Sequence, residues 1–113
     1  MQILFESRAP QGAELRELAE RRVRFVLRRM SWLVPRTRVL LSDANGPRGG
    51  VDKCCRVELK TDRAGTIVIT SVARDWRSAL DSALARAARV LVRLWRRGRE
   101  HGRARQRAGA DAF

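Results

Sequence analysis

Apolar and polar residues repeat along this chain with two different periods, and each change of period marks out an element. The run "QILFE" is short, apolar-rich and partly β-branched or aromatic, and "RAPQG" after it carries Pro10 and Gly12 as breakers, which predicts a first strand. From Ala13 to Met30 the apolar residues Leu15, Leu18, Ala19, Val23, Val26 and Met30 recur at three- and four-residue steps. That spacing predicts a helix with one buried stripe, and Pro35 stops any continuation beyond Leu33 or Val34. The period then falls to two. Thr37, Val39 and Leu41 alternate with Arg36, Arg38, Leu40 and Ser42, and Cys55, Val57 and Leu59 alternate with Cys54, Arg56, Glu58 and Lys60. "DRAG" turns the chain into "TIVITSV", so the last two strands read as an antiparallel hairpin with one apolar and one largely wet face. Asp75 then stands where an N-cap belongs, ahead of a second long helix from about Trp76 to Arg97.

This order predicts an α+β domain, β-α-β-β-β-α, with a four-stranded mixed sheet and two helices packed on one face. The helix between the first two strands should cross over right-handedly. At 113 residues the chain suits a single domain. We place that domain at residues 1–97. Residues 98–113, "GREHGRARQRAGADAF", offer glycine, alanine and arginine with almost nothing to bury, and are expected to form a basic disordered tail.

The second helix carries two unlike faces. At 100° per residue, Leu80, Leu84, Ala87, Ala88, Leu91, Leu94 and Trp95 fall within an arc of about 120°, and Arg86, Arg89, Arg93, Arg96 and Arg97 within another of about 100° roughly opposite. A face that is merely solvated usually interleaves acids, because like charges one turn apart repel. Between Ser82 and Arg99 there is no acid at all, which points to an external polyanion. The first helix is a weaker case: Arg21, Arg22, Arg24, Arg28 and Arg29 share it with Glu14, Glu17 and Glu20, and the helix dipole favours arginine near its C-terminus whatever the function. Arg22 projects near the apolar stripe and can snorkel from it.

Charge over the whole chain agrees. Lysine and arginine total 25 against 12 acids, a formal charge of +13, and only Lys53 and Lys60 are lysine. Nucleic acid is the expected partner ahead of an anionic membrane, although a coding bias toward arginine would give the same count. The residues expected to contact RNA are Arg22, Arg28, Arg29, Arg86, Arg89, Arg93, Arg96 and Arg97. A second candidate is the loop "NGPRGGVDK", in which Arg48, Gly49, Gly50 and Lys53 could hold a phosphate; a flexible hairpin connection is the alternative. Trp32, Trp76 and Trp95 could stack bases, but core packing is the expectation.

Other chemistry is scarce. Cys54 and Cys55 are adjacent and point to opposite faces of a strand, which suits neither a disulfide nor a metal site, and His101 lies in the tail. We expect no metal and no cofactor. Asp43, Asp52 and Asp62 fall in loops without a visible partner, so no catalytic residue is assigned and no small-molecule substrate is expected. The chain has no run of eighteen apolar residues and no signal-peptide pattern at its start, so the expectation is a cytoplasmic protein without a membrane partner.

The order "MQILFES", "LRELAERRV", "VLLS", "ARDWRSALDSALARAARVLVRLWRR" resembles the ribosome hibernation-promoting factor family, also called the ribosome-associated inhibitor or sigma-54 modulation family, over residues 1 to about 97. Asp75, Trp76, Ala79, Leu80 and Asp81 fit the opening of that family's last helix, and Arg86, Arg89 and Arg93 fall at its spaced basic positions. Leu15, Arg16, Glu17 and Arg22 fit its first helix. Arg77 stands in place of the usual Tyr, Phe25 where the family often has Lys, and the loop at 43 to 53 is longer. The resemblance implies a short-form translation inhibitor, not an enzyme. It implies a protein that lies in the mRNA and tRNA channel of the small ribosomal subunit, basic helices against ribosomal RNA, and is monomeric off the ribosome. Two alternatives remain: a double-stranded RNA-binding module, and a protein-interaction module that docks an acidic partner.

Overall fold

The computed structural model describes residues 1–8, 12–43, 53–62 and 64–111, with side chains described as far as Arg97. Its elements are β1 (Gln2–Ser7), α1 (Gly12–Val26), a 3-10 turn (Ser31–Leu33), β2 (Arg36–Asp43), β3 (Lys53–Lys60), β4 (Thr66–Ala73) and α2 (Trp76–Asp111). The four strands form one mixed sheet in the order β1-β2-β3-β4. β1 and β2 are parallel, with Phe5 opposite Val39, because α1 carries the chain back between them. β2, β3 and β4 form an antiparallel meander, in which Val39 faces Val57 and Val57 faces Ile69. This is the expected α+β architecture.

The period-two pattern decides which face is covered. Val39, Leu41, Cys55, Val57, Leu59 and Ile67 are buried on the inner face, and Thr37 among them donates its hydroxyl to the Met1 sulfur at 3.2 Å. From above, α1 contributes Ala19, Val23 and Leu27, and α2 contributes Ala79, Leu80, Ala83, Leu84, Ala87 and Leu91. The alanines at 79, 83 and 87 recur one turn apart, and their small side chains let α2 lie close to its neighbours. Arg22 of α1 reaches Asp81 of α2, while residues 26–30 line a groove with Ala88, Val92 and Trp95, so the two helices run side by side in the same direction. At the β3–β4 turn Gly65 takes φ +70°, a left-handed conformation that a residue with a Cβ rarely adopts, while the Thr61 hydroxyl accepts from the Ala64 amide at 2.9 Å.

Both helices end elsewhere than their periodicity implies. α1 was expected to reach Met30 but stops at Val26. From Leu27 the chain tightens into three-residue turns, with Met30 N–H donating to the Leu27 carbonyl at 3.0 Å and Leu33 N–H to the Met30 carbonyl at 2.9 Å. This bend carries Val34 into the core and starts β2 two residues later. α2 was expected to end near Arg97 ahead of a disordered tail, but continues through Gly98 to Asp111. Alanine and arginine are strong helix formers, no proline interrupts the segment, and the three glycines at 98, 102 and 109 only weaken it.

Candidate nucleic-acid interface

The N-terminal end of α2 is fastened before its basic face begins. Ser78 donates its amide to Asp75 Oδ1 at 2.7 Å and its hydroxyl to Oδ2 at 2.9 Å. The two bonds hold the Asp75 carboxyl below the ordinary carboxylate range. Asp81, the next acid, turns sideways to Arg22 Nε at 3.4 Å. Past this point, as far as Arg97, every charged residue of α2 is an arginine.

Arg86, Arg89, Arg93, Arg96 and Arg97 are all exposed, while Leu84, Ala87 and Leu91 on the other side of the helix are buried. Arg86 Nη1 donates to the Thr70 carbonyl of β4 at 3.0 Å, and Arg89 Nε to the Ala85 carbonyl at 3.4 Å. Each guanidinium carries five donors, so both keep most of them for an external acceptor. Among the described residues no carboxylate pairs with any of the five arginines.

The arginines of the first helix are divided by the structure. Arg22 is half-buried and pairs through Nε with Asp81, which ties the two helices together. Arg28 and Arg29 lie beyond the end of α1 and meet Arg96 of α2 around a groove of about 540 Å³. Arg28 is held in place, its Nη1 donating to the Phe25 carbonyl at 2.7 Å and its guanidinium 4.3 Å from the Phe25 ring centroid.

That groove also corrects the expectation for the tryptophans. Trp76 is packed against the core, but Trp95 is only partly buried and lines the groove, and Trp32 is 64% exposed. Trp32 sits on the 3-10 turn, past the point where the α-helical period ends, and its Nε1 donates to the Arg29 carbonyl at 3.2 Å. Phe25 is exposed as well, at 59%. Exposed rings beside arginines were missed by the sequence reading; the cluster "RRMSW", with an aromatic just outside the periodic stripe, is the signal that marked them.

Of the second candidate loop, Arg48, Gly49 and Gly50 lie outside the described residues. Lys53 opens β3, with Nζ 2.8 Å from Asp43 Oδ2 and 5.2 Å from the Trp76 ring centroid. Asp43 is therefore a paired residue at the end of β2 and not an unpartnered loop acid. The cysteines are free thiols, and burial, with a smaller contribution from Cys54, pushes the Cys55 thiol up to about 12. Among the described residues no group of His, Cys, Asp and Glu is placed to hold a metal ion, and no helix is long and apolar enough to cross a membrane.

Basic residues on the uncovered face of the sheet behave differently. Arg38 lies 2.7 Å from Glu6 and 3.9 Å from Glu58, and Arg56 lies 3.1 Å from Glu58. The hydrogen bond and charge of Glu6 push the Arg38 pKa up, which keeps the pair ionised.

The chain matches no protein-family model and no curated protein. Among solved structures it is similar to a ribosomal subunit interface protein from Coxiella burnetii, at 15% identity and a TM-score of 0.68, over 83% of this chain and 97% of that one. It is also similar to the Protein Y N-terminal domain of Thermus thermophilus, at 18% identity and a TM-score of 0.65, over 83% of this chain and 99% of that one. At these identities the likeness establishes a shared fold.

Proposed function

We propose that the protein is a ribosome-associated translation inhibitor. In this reading residues 1–97 bind ribosomal RNA of the small subunit in the mRNA and tRNA channel, and α2 lies with its arginines against phosphates. The observation that carries it is the ridge of Arg86, Arg89, Arg93, Arg96 and Arg97, exposed and without a carboxylate partner among the described residues. A ridge of this kind gains free energy by releasing counterions from a polyanion, which solvation alone does not provide. The shared fold with a ribosomal subunit interface protein supports the same partner, and so does the resemblance in the last helix. The activity is binding and not catalysis, and its place is the cytoplasm. Sedimentation through a sucrose gradient with purified ribosomal subunits is the test. Comigration with the small subunit at physiological salt is expected. Free protein at the top of the gradient, with equal affinity for any RNA duplex, would instead favour a double-stranded RNA-binding module.

A further inference from the structure

We propose that the groove between the end of α1 and the middle of α2 receives one unstacked RNA base against the Trp32 ring, with the neighbouring phosphates held by Arg29 and Arg96. This rests on the RNA-binding reading above and names the part of the surface that recognises bases.

Four observations lead here. The Trp32 N–H is already satisfied by the Arg29 carbonyl at 3.2 Å, so what the residue offers outward is the flat face of its ring, 64% exposed. The groove below is apolar, lined by Val26, Met30, Val92 and Trp95, and its charged lining residues among those described are Arg28, Arg29 and Arg96. Its volume of about 540 Å³ falls in the range of clefts that bind small organic ligands. Finally, Arg28 is fixed by Phe25, while Arg29 and Arg96 have no carboxylate partner among the described residues.

A planar face beside free guanidinium groups matches a nucleotide better than the other polyanions. An acidic peptide would satisfy the arginines but leave the indole without a stacking partner. In a regular duplex the bases are stacked on one another and cannot enter, whereas the bases of loops and bulges can be splayed onto aromatic side chains. The ridge of α2 would track the backbone and the groove would take a base that leaves the stack, so recognition is by phosphates along one part of the surface and by stacking at one point.

The full chain is tested with two probes, a hexa-adenylate ribo-oligonucleotide and an abasic hexamer of the same backbone. Wild-type protein should bind the adenylate roughly 5- to 100-fold more tightly than the abasic strand, the range expected of one base stacked on an aromatic ring. Trp32→Leu keeps an apolar side chain but cannot stack, and should lose most of that preference while binding the abasic strand as before. Val92→Glu, on the other wall, should lose it too, so the test stands even if one variant fails to fold. Equal binding of both probes by wild type, or an unchanged preference in both variants, overturns the proposal. Quenching of Trp32 fluorescence by an acidic peptide but not by the adenylate also overturns it. Cosedimentation separates this from the ribosome reading: a Trp32-dependent base preference without comigration leaves the groove standing and sinks the ribosome, and comigration without a base preference does the reverse.

Discussion

Two arginine-bearing surfaces of this molecule differ in whom their charges answer to. On the open face of the sheet, Arg38 and Arg56 meet Glu6 and Glu58 at 2.7 to 3.9 Å, and the field they project is largely cancelled within a few ångströms. On α2, five arginines face water with no carboxylate among the described residues to meet them. Residue type is the same in both places, and Arg56 is exposed like the ridge, although Arg38 is only partly so. The clearest difference is the pairing. A count of basic residues therefore overstates the binding surface, and the geometry of the acids tells which arginines are free to attract a partner.

The sharpest way to break that contrast is charge reversal on both surfaces. Arg86→Glu, Arg89→Glu and Arg93→Glu together should weaken small-subunit binding on the order of a thousandfold, because each loses a charge-assisted bond and adds repulsion. Arg38→Glu with Arg56→Glu should change it only a few-fold. Equal losses from the two sets, measured by cosedimentation, would mean that pairing is not what separates them. Next in size, Leu84→Ala on the buried side of α2 should cost about 2 to 5 kcal/mol of folding stability by denaturant melt and leave the affinity of the folded protein unchanged. The triple alanine variant of the ridge should flatten the log–log salt dependence of binding by about 2 to 3 units, nearly one per lost phosphate contact, whereas Arg38→Ala should leave that slope alone. Smaller still is Asp75→Ala. The Asp75 carboxyl is held below its ordinary value, so it stabilises the fold above the ordinary carboxylate range and loses that effect as pH falls through its lowered value. The variant should melt slightly earlier than wild type at neutral pH, and the gap should close in acid.

The fold was largely readable because alternation needs only near neighbours. Thr37, Val39 and Leu41 declare a buried face whatever packs on it, and all three are buried. The capping role of Asp75 was readable for the same reason, since its partner is three residues away. The end of α1 was not, because Met30 continues the stripe of Val23 and Val26, and what stops the helix is the need to bring Val34 into the core. The pairing of Arg22 was not readable for a similar reason: its partner Asp81 sits on a different helix, and no local pattern couples them. The groove was the least visible feature. Its walls, near Met30 and near Val92, come from distant parts of the chain and meet only after the helices pack in parallel.

The bond between Arg86 and the Thr70 carbonyl reaches past RNA to solubility. β4 is the last strand of its sheet, so one side of its backbone has no neighbouring strand, and such an edge invites a strand from another copy to add on. The guanidinium covers one of the groups that such an addition would use and sets a positive charge beside the edge. Arg86 thus stands at the open edge of the sheet as well as at the start of the ridge. Arg86→Ala, which uncovers the carbonyl without a replacement charge, should self-associate at high concentration by light scattering, and Arg86→Lys should not. The same residue therefore belongs to two surfaces, the arginine ridge and the edge of the sheet.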